Sequence, residues 1–100
     1  MIMEVAILNV KSGSSKNFEA AFKEASKIIS SMPGYVSHEL HKCVETADRY
    51  ILLVQWDKLE DHTVQFRQSD QYKRWRKLLH HFYGSFPTVE HYSAVLRNPE

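Results

Sequence analysis

Cysteine is nearly absent. Cys43 stands alone among 100 residues, so no internal disulfide can staple the fold and no cysteine-based metal set can form. Glycine and proline are scarce too, with three of each, which leaves little of the chain to disorder. No glycine-rich phosphate loop and no nucleophile-elbow serine occurs. Charge of one sign is also missing. The formal net charge is +1, too weak a field to gather nucleic acid or an anionic membrane, although Lys73-Arg74-Trp75-Arg76-Lys77 is locally basic. No apolar run approaches the ~18 residues that cross a bilayer. The opening MIMEVAILNV lacks a basic stretch followed by an apolar block and a cleavage site. These absences lead us to expect one domain over residues 1–100, in a reducing, cytoplasmic setting, with neither nucleic acid nor membrane as partner.

What is present is strong hydrophobic patterning. Ile2 to Val10 is apolar except at Glu4 and Asn9, which suits a strand covered on both faces. After Ser14 and Ser15, which can cap a helix, Phe18, Ala21, Phe22, Ala25, Ile28, Ile29 and Met32 recur at three- and four-residue steps. That spacing predicts an amphipathic helix of roughly 17 residues stopped by Pro33-Gly34. Tyr35 to Val44 and Arg49 to Trp56 read as strands joined by a short polar connection, hence an antiparallel hairpin. Asp57 and Glu60 form a capping-box pattern that opens a helix through about Gln68. Ser69 can cap a second helix carrying the stripe Tyr72, Trp75, Leu79 and Phe82, ended by Gly84 and Pro87. Thr88 to Leu96 reads as a last strand, and about 97–100 as a frayed tail.

Strand, helix, strand, strand, helix pair, strand is the split βαβ order of a ferredoxin-like α+β sandwich. Its helices cover one face of the sheet. The other face would leave Val5, Ile7, Ile51, Leu53, Tyr92 and Ala94, or their alternates, in water. A second copy of the chain is expected to cover it, as a symmetric homodimer.

The segments PGYVSHEL, RYILLVQWDKLEDHTVQFRQSDQYKRW and TVEHY, in that order, resemble the antibiotic biosynthesis monooxygenase (ABM) family over essentially the whole chain. The junction Val54-Gln55-Trp56-Asp57 into Leu59-Glu60-Asp61-His62 is the most specific part. The resemblance implies a dimeric α+β barrel with a pocket in each subunit between sheet and helices. It also implies a range of activities: cofactor-independent oxygenation of anthrones and quinols, haem degradation, and processing of small signalling molecules. In much of the family two histidines and an aromatic follow the third strand, at places held here by Phe66, Gln71 and Trp75; only the aromatic survives. His62 matches a histidine of some members. Haem-degrading members need an Asn, a Trp and a His in the pocket. Here Asn9 and Trp75 are available but Arg76 stands at the histidine's place, so haem cleavage is not expected.

Four imidazoles are candidate bases. On a strand, His38 and Leu40 of HELH share one face while Glu39 and His41 share the other, so the two histidines cannot share a metal, and the helical H-E-x-x-H spacing is not met. His38 is the one expected to face a pocket. His91 shares a face with Val89 and Ser93 and would join His38 if that face meets the helices; a satisfied core histidine is the other reading. His62 has the same alternatives. His80 borders the apolar stripe, whereas His81 lies opposite it. A neutral imidazole in an apolar cavity can take a phenolic proton, since its ordinary pKa is near 6.5. Phe66, Tyr72, Trp75, Trp56 and Phe82 are candidate pocket walls as well as candidate core. The function expected is a cofactor-independent monooxygenase acting on a small hydroxyaromatic or quinol, with no metal. The alternative is a non-catalytic dimeric binding or accessory protein of the same fold.

Overall fold

The computed structural model describes residues 1–99. Four strands, β1 (Ile2–Asn9), β2 (Tyr35–Lys42), β3 (Arg49–Trp56) and β4 (Thr88–Tyr92), form one antiparallel sheet in the order β2-β3-β1-β4. Helix α1 (Ser15–Ile29) joins β1 to β2. A π-helical segment (Asp61–Phe66) and helix α2 (Asp70–Leu79) join β3 to β4. Each helical crossover brackets a strand from the other unit, which is the interlocked split βαβ arrangement of the ferredoxin-like fold.

The two-residue alternation of the central strands divides the sheet. Ala6 and Leu8 of β1, with Tyr50, Leu52, Val54 and Trp56 of β3, are buried beneath the helices. They meet Phe18, Phe22, Ala25 and Ile29 of α1 and Trp75 and Leu79 of α2. Each large side chain taken out of water there stabilises by about 1.5–3 kcal/mol. Val5 and Ile7 point the opposite way, opposite Leu53 and Ile51, and are only half-buried.

Several boundaries differ from the sequence expectation, each for a local reason. Ser14 sits at the start of α1 without a side-chain cap, while the Ser15 hydroxyl donates to Asp48 at 2.5 Å. The helix closes before Pro33 as its last turn tightens: the Ser31 and Met32 N–H groups reach the carbonyls of Ile28 and Ile29, three residues back, at 3.2 and 3.1 Å, and the Ser30 and Ser31 hydroxyls donate to the carbonyls of Ser26 and Ile28, each at 2.7 Å. The expected Asp57–Glu60 capping box does not form; instead the Asp61 carboxylate accepts from the Lys58 N–H at 2.9 Å, a single side-chain bond to the backbone at the start of the turn. The Asp61–Phe66 segment is not a plain α-helix. The Arg67 N–H reaches the His62 carbonyl, five residues back, and this widened turn leaves both His62 and Phe66 buried. Ser69 caps α2 as expected, accepting from the Tyr72 N–H at 3.1 Å. β4 ends at Tyr92 rather than Leu96, because Tyr92 already pairs with Met3 near the start of β1 and little partner strand remains. Of the expected tail, residues 97–99 have no regular hydrogen-bonded structure, and Glu100 lies outside the described residues.

Candidate active site

A cavity of about 380 Å³ opens between the helix-side face of β1 and β4 and the segment running from the π-turn through α2 to Pro87. Its aromatic walls come from α2 and the π-turn. Phe66 meets Tyr72 edge-on at 5.2 Å and Trp75 at 5.7 Å between ring centroids. Tyr83 is brought to the other side by the chain after α2, which is pinned to the end of β1: Lys11 N–H donates to Phe82 O and Gly84 N–H to Asn9 O, both at 2.8 Å.

At the bottom lies a buried polar chain. Glu4 is 6% exposed and His62 4% exposed. The Trp56 indole Nε1–H donates to Glu4 Oε1 at 3.0 Å, and His62 Nε2 lies 3.3 Å from the same oxygen. The other nitrogen of His62, Nδ1, is 2.8 Å from His91 Nε2. Trp56 also stacks on the His62 ring, with centroids 5.6 Å apart and planes 22° apart. β-Sheet register builds this group, since β1 and β4 pair Glu4 with His91 and the π-turn lowers His62 onto both.

Burial pushes the Glu4 carboxyl up to about 6, partly offset by the Trp56 hydrogen bond and the Arg67 charge. Burial pushes His62 down to about 3, helped by Arg67 and His91. His62 is therefore neutral at neutral pH and Glu4 largely ionised, and the carboxylate favours the His62 proton on Nε2. Nδ1 is then left to accept from His91 Nε2–H. His91 is lowered by burial and by Arg67, and His80 by burial and by Arg76. Burial holds the Tyr83 phenol well above its ordinary range. Glu4 Oε2 has no protein hydrogen-bond partner among the described residues. Glu4 itself lines the cavity, and among the described residues no buried side-chain polar atom lacks a hydrogen-bond partner.

The structure thus brings His62 and His80 to one cavity, with Phe66, Tyr72 and Trp75 lining it, while His91 is not on its wall and reaches it only through its contact with His62. His38 is not among them. It shares the helix-side face but sits on β2, the opposite edge strand from β4, with Nδ1 2.5 Å from Tyr35 Oη and Nε2 2.9 Å from Ser26 Oγ. The expected meeting of His38 with His91 fails because two strands lie between them. Glu39 and His41 pair at 3.0 Å on the open face. Trp56 is fully buried behind Glu4 and not on the cavity wall, and Phe82 packs against Phe18 at 5.9 Å. Asn9 accepts from Arg49 Nε at 2.9 Å on the open face and does not share the cavity with Trp75, so the residues present do not fit a haem-cleaving set. Among the described residues no three His, Cys, Asp or Glu side chains gather as a metal site. Sequence reasoning missed Glu4, Arg67, Arg76 and Tyr83. The one available signal was Glu4, the lone charge inside the first apolar strand.

A sequence model of the family "antibiotic biosynthesis monooxygenase" matches residues 1–78. The chain belongs to the antibiotic biosynthesis monooxygenase family. It is 52% identical over 95 residues to the uncharacterized protein YczJ of Bacillus subtilis (strain 168), covering 95% of this chain and all of that one. A crystal structure from Bordetella bronchiseptica, of a protein named for the same family, superposes with a TM-score of 0.92 at 35% identity, covering 95% of this chain and 97% of that one. SnoaB, a cofactor-independent oxygenase from Streptomyces nogalater, superposes with a TM-score of 0.81 at 19% identity over 99% of this chain and 97% of its own. At that identity the likeness to SnoaB is one of fold. Among the described residues no helix of this ABM protein is long and apolar enough to cross a membrane.

Proposed function

We propose that this ABM protein is a cofactor-independent monooxygenase acting on a small hydroxyaromatic or quinol. The observation that carries the reading is the Glu4–His62–His91 chain, with Glu4 and His62 buried at the bottom of an aromatic-walled cavity. A carboxyl held near 6 is a serviceable general base at neutral pH. Glu4 Oε2 takes the hydroxyl proton of the substrate, while the Trp56 Nε1–H donates to Oε1 and fixes the carboxylate's direction, with His62 Nε2 3.3 Å from the same oxygen. His62 and His91 act as positioning residues, and His80 supplies a second neutral imidazole at the opposite wall.

The deprotonated ring is electron-rich enough to react with dioxygen directly. A carbon–oxygen bond forms at a ring carbon that still bears hydrogen, giving a peroxide that receives the proton back from Glu4. Cleavage of the O–O bond with loss of that C–H proton releases water and leaves a carbonyl. The C–H bond supplies the two electrons that reduce the departing oxygen atom. The sum is a ring CH₂ and O₂ converted to a ring C=O and H₂O, with Glu4 restored.

The same proposal includes a homodimer through the open sheet face and a cytoplasmic setting. Val5, Ile7, Ile51 and Leu53 are only half-buried on that face, and a second copy is the symmetric way to cover them.

The test is oxygen uptake by metal-stripped protein against a panel of anthrones, quinols and hydroxyarenes. Uptake is expected to survive chelator and to fall about 10²-fold or more in Glu4→Gln, with circular dichroism showing that variant folded. Absence of uptake above buffer across the panel would refute the oxygenase and leave a ligand-binding protein of the same fold.

A further inference from the structure

We propose that the ligand of this cavity carries an anionic group, a carboxylate beside its hydroxylated ring, held at the mouth by Arg67 and Arg76. The inference rests on the cavity assigned above and names the class of molecule that fills it. Both arginines line the cavity, both are exposed, and neither forms an ion pair among the described residues. Other cations of the same helical stretch behave differently: Lys73 is engaged by Asp70 at 3.5 Å.

Charge accounting favours one anion. With the imidazoles neutral, the lining carries two guanidiniums against the single carboxylate of Glu4, a surplus of one positive charge that a monoanion would cancel. Depth orders the two ends. Glu4 and His62 are almost wholly buried whereas both arginines reach solvent, so a ring bound among Phe66, Tyr72 and Trp75 would present its hydroxyl inward and its acid outward. Guanidinium forks are suited to a carboxylate, and at an exposed mouth the desolvation cost of the pair is small. A volume of about 380 Å³ lies near the lower end of the ~300–1,000 Å³ range of small-molecule pockets, which favours a compact aromatic acid.

The test uses a matched pair of probes, 6-hydroxy-2-naphthoate, whose hydroxyl and acid lie at opposite ends of the ring system, and 2-naphthol, titrated calorimetrically under anaerobic conditions into the native protein, Arg67→Gln, Arg76→Gln and the double variant. The native protein is expected to bind the acid about tenfold or more tightly than the naphthol, about the worth of one charge-assisted contact, with the difference shrinking as salt rises. Each single variant should lose part of that preference and the double variant all of it, with naphthol affinity unchanged. Equal affinity for the two probes in the native protein, no binding of the acid, or a preference that survives in the double variant would overturn the proposal. Because binding is read without oxygen, failure of the oxygenase reading leaves this result standing. Oxygen uptake on neutral quinols without any preference for the acid would sink this inference alone.

Discussion

Replacing Glu4 by Gln isolates the one ionisation that the proposed chemistry depends on. In the folded chain burial raises this carboxyl from 4.5 to about 6. Between those values the native state holds more proton than the unfolded chain. Stability from this group is therefore fully present below 4.5 and is lost as pH rises through about 6. Raising the carboxyl by that interval corresponds to roughly 2 kcal/mol. Gln keeps a carbonyl oxygen that can accept from Trp56 Nε1–H, so any fixed packing penalty of the swap is similar at both ends of the range. His62, held near 3, stays neutral in native and variant alike from about pH 4.5 upward. The assay is urea unfolding followed by tryptophan fluorescence at about pH 4.5 and at neutral pH, at one protein concentration because association would shift apparent stability. Relative to native, Glu4→Gln should gain about 2 kcal/mol between acid and neutral pH. A difference that does not change with pH, or that changes in the opposite sense, would show that Glu4 is not a buried carboxyl of raised proton affinity, and the base assignment would go with it.

Oxygen uptake should rise with pH along an acid limb near 6 in the native protein; in Glu4→Gln the residual rate should show no such limb. Trp56→Phe removes the indole donor that lowers the Glu4 carboxyl, so the same limb should move to higher pH. Gly34→Ala should lower the melting temperature by the equivalent of more than about 1 kcal/mol. Gly34 has φ +83°, and a Cβ there would lie 2.1 Å from Asp61 Oδ2, forcing Asp61 off its bond to Lys58. Leu53→Lys places a charge at the centre of the open sheet face opposite Val5; light scattering should report a dimer for the native protein and a monomer for the variant, and equal masses would remove that face as the interface.

The fold was legible because it is written in local period. Alternation in β1 and β3, the three- and four-residue steps of Phe18, Phe22, Ala25 and Ile29, and the cap at Ser69 can each be read within a few residues. The site was only half legible because it depends on pairing between distant segments. His62 and His91 stand out as lone imidazoles, but nothing in either segment reveals that β4 runs antiparallel to β1 with His91 opposite Glu4. The π-turn was invisible as well. It changes which side chains of Asp61–Phe66 face inward without changing the composition of that segment.

His38 shows how strand order, rather than strand face, decides a site. Both His38 and His91 lie on the helix-side face, paired with Val54 and Glu4. In the order β2-β3-β1-β4, however, they sit on opposite edges, three strand spacings apart, or about 14 Å at ~4.8 Å each. No side-chain rotation closes that gap. Glu4 occupies a central strand next to β4, so it can meet both His91 across one spacing and His62 from above. The sheet's contribution to the cavity therefore comes from β1 and β4, and Glu4 is the ionisable side chain of β1 that faces the helices.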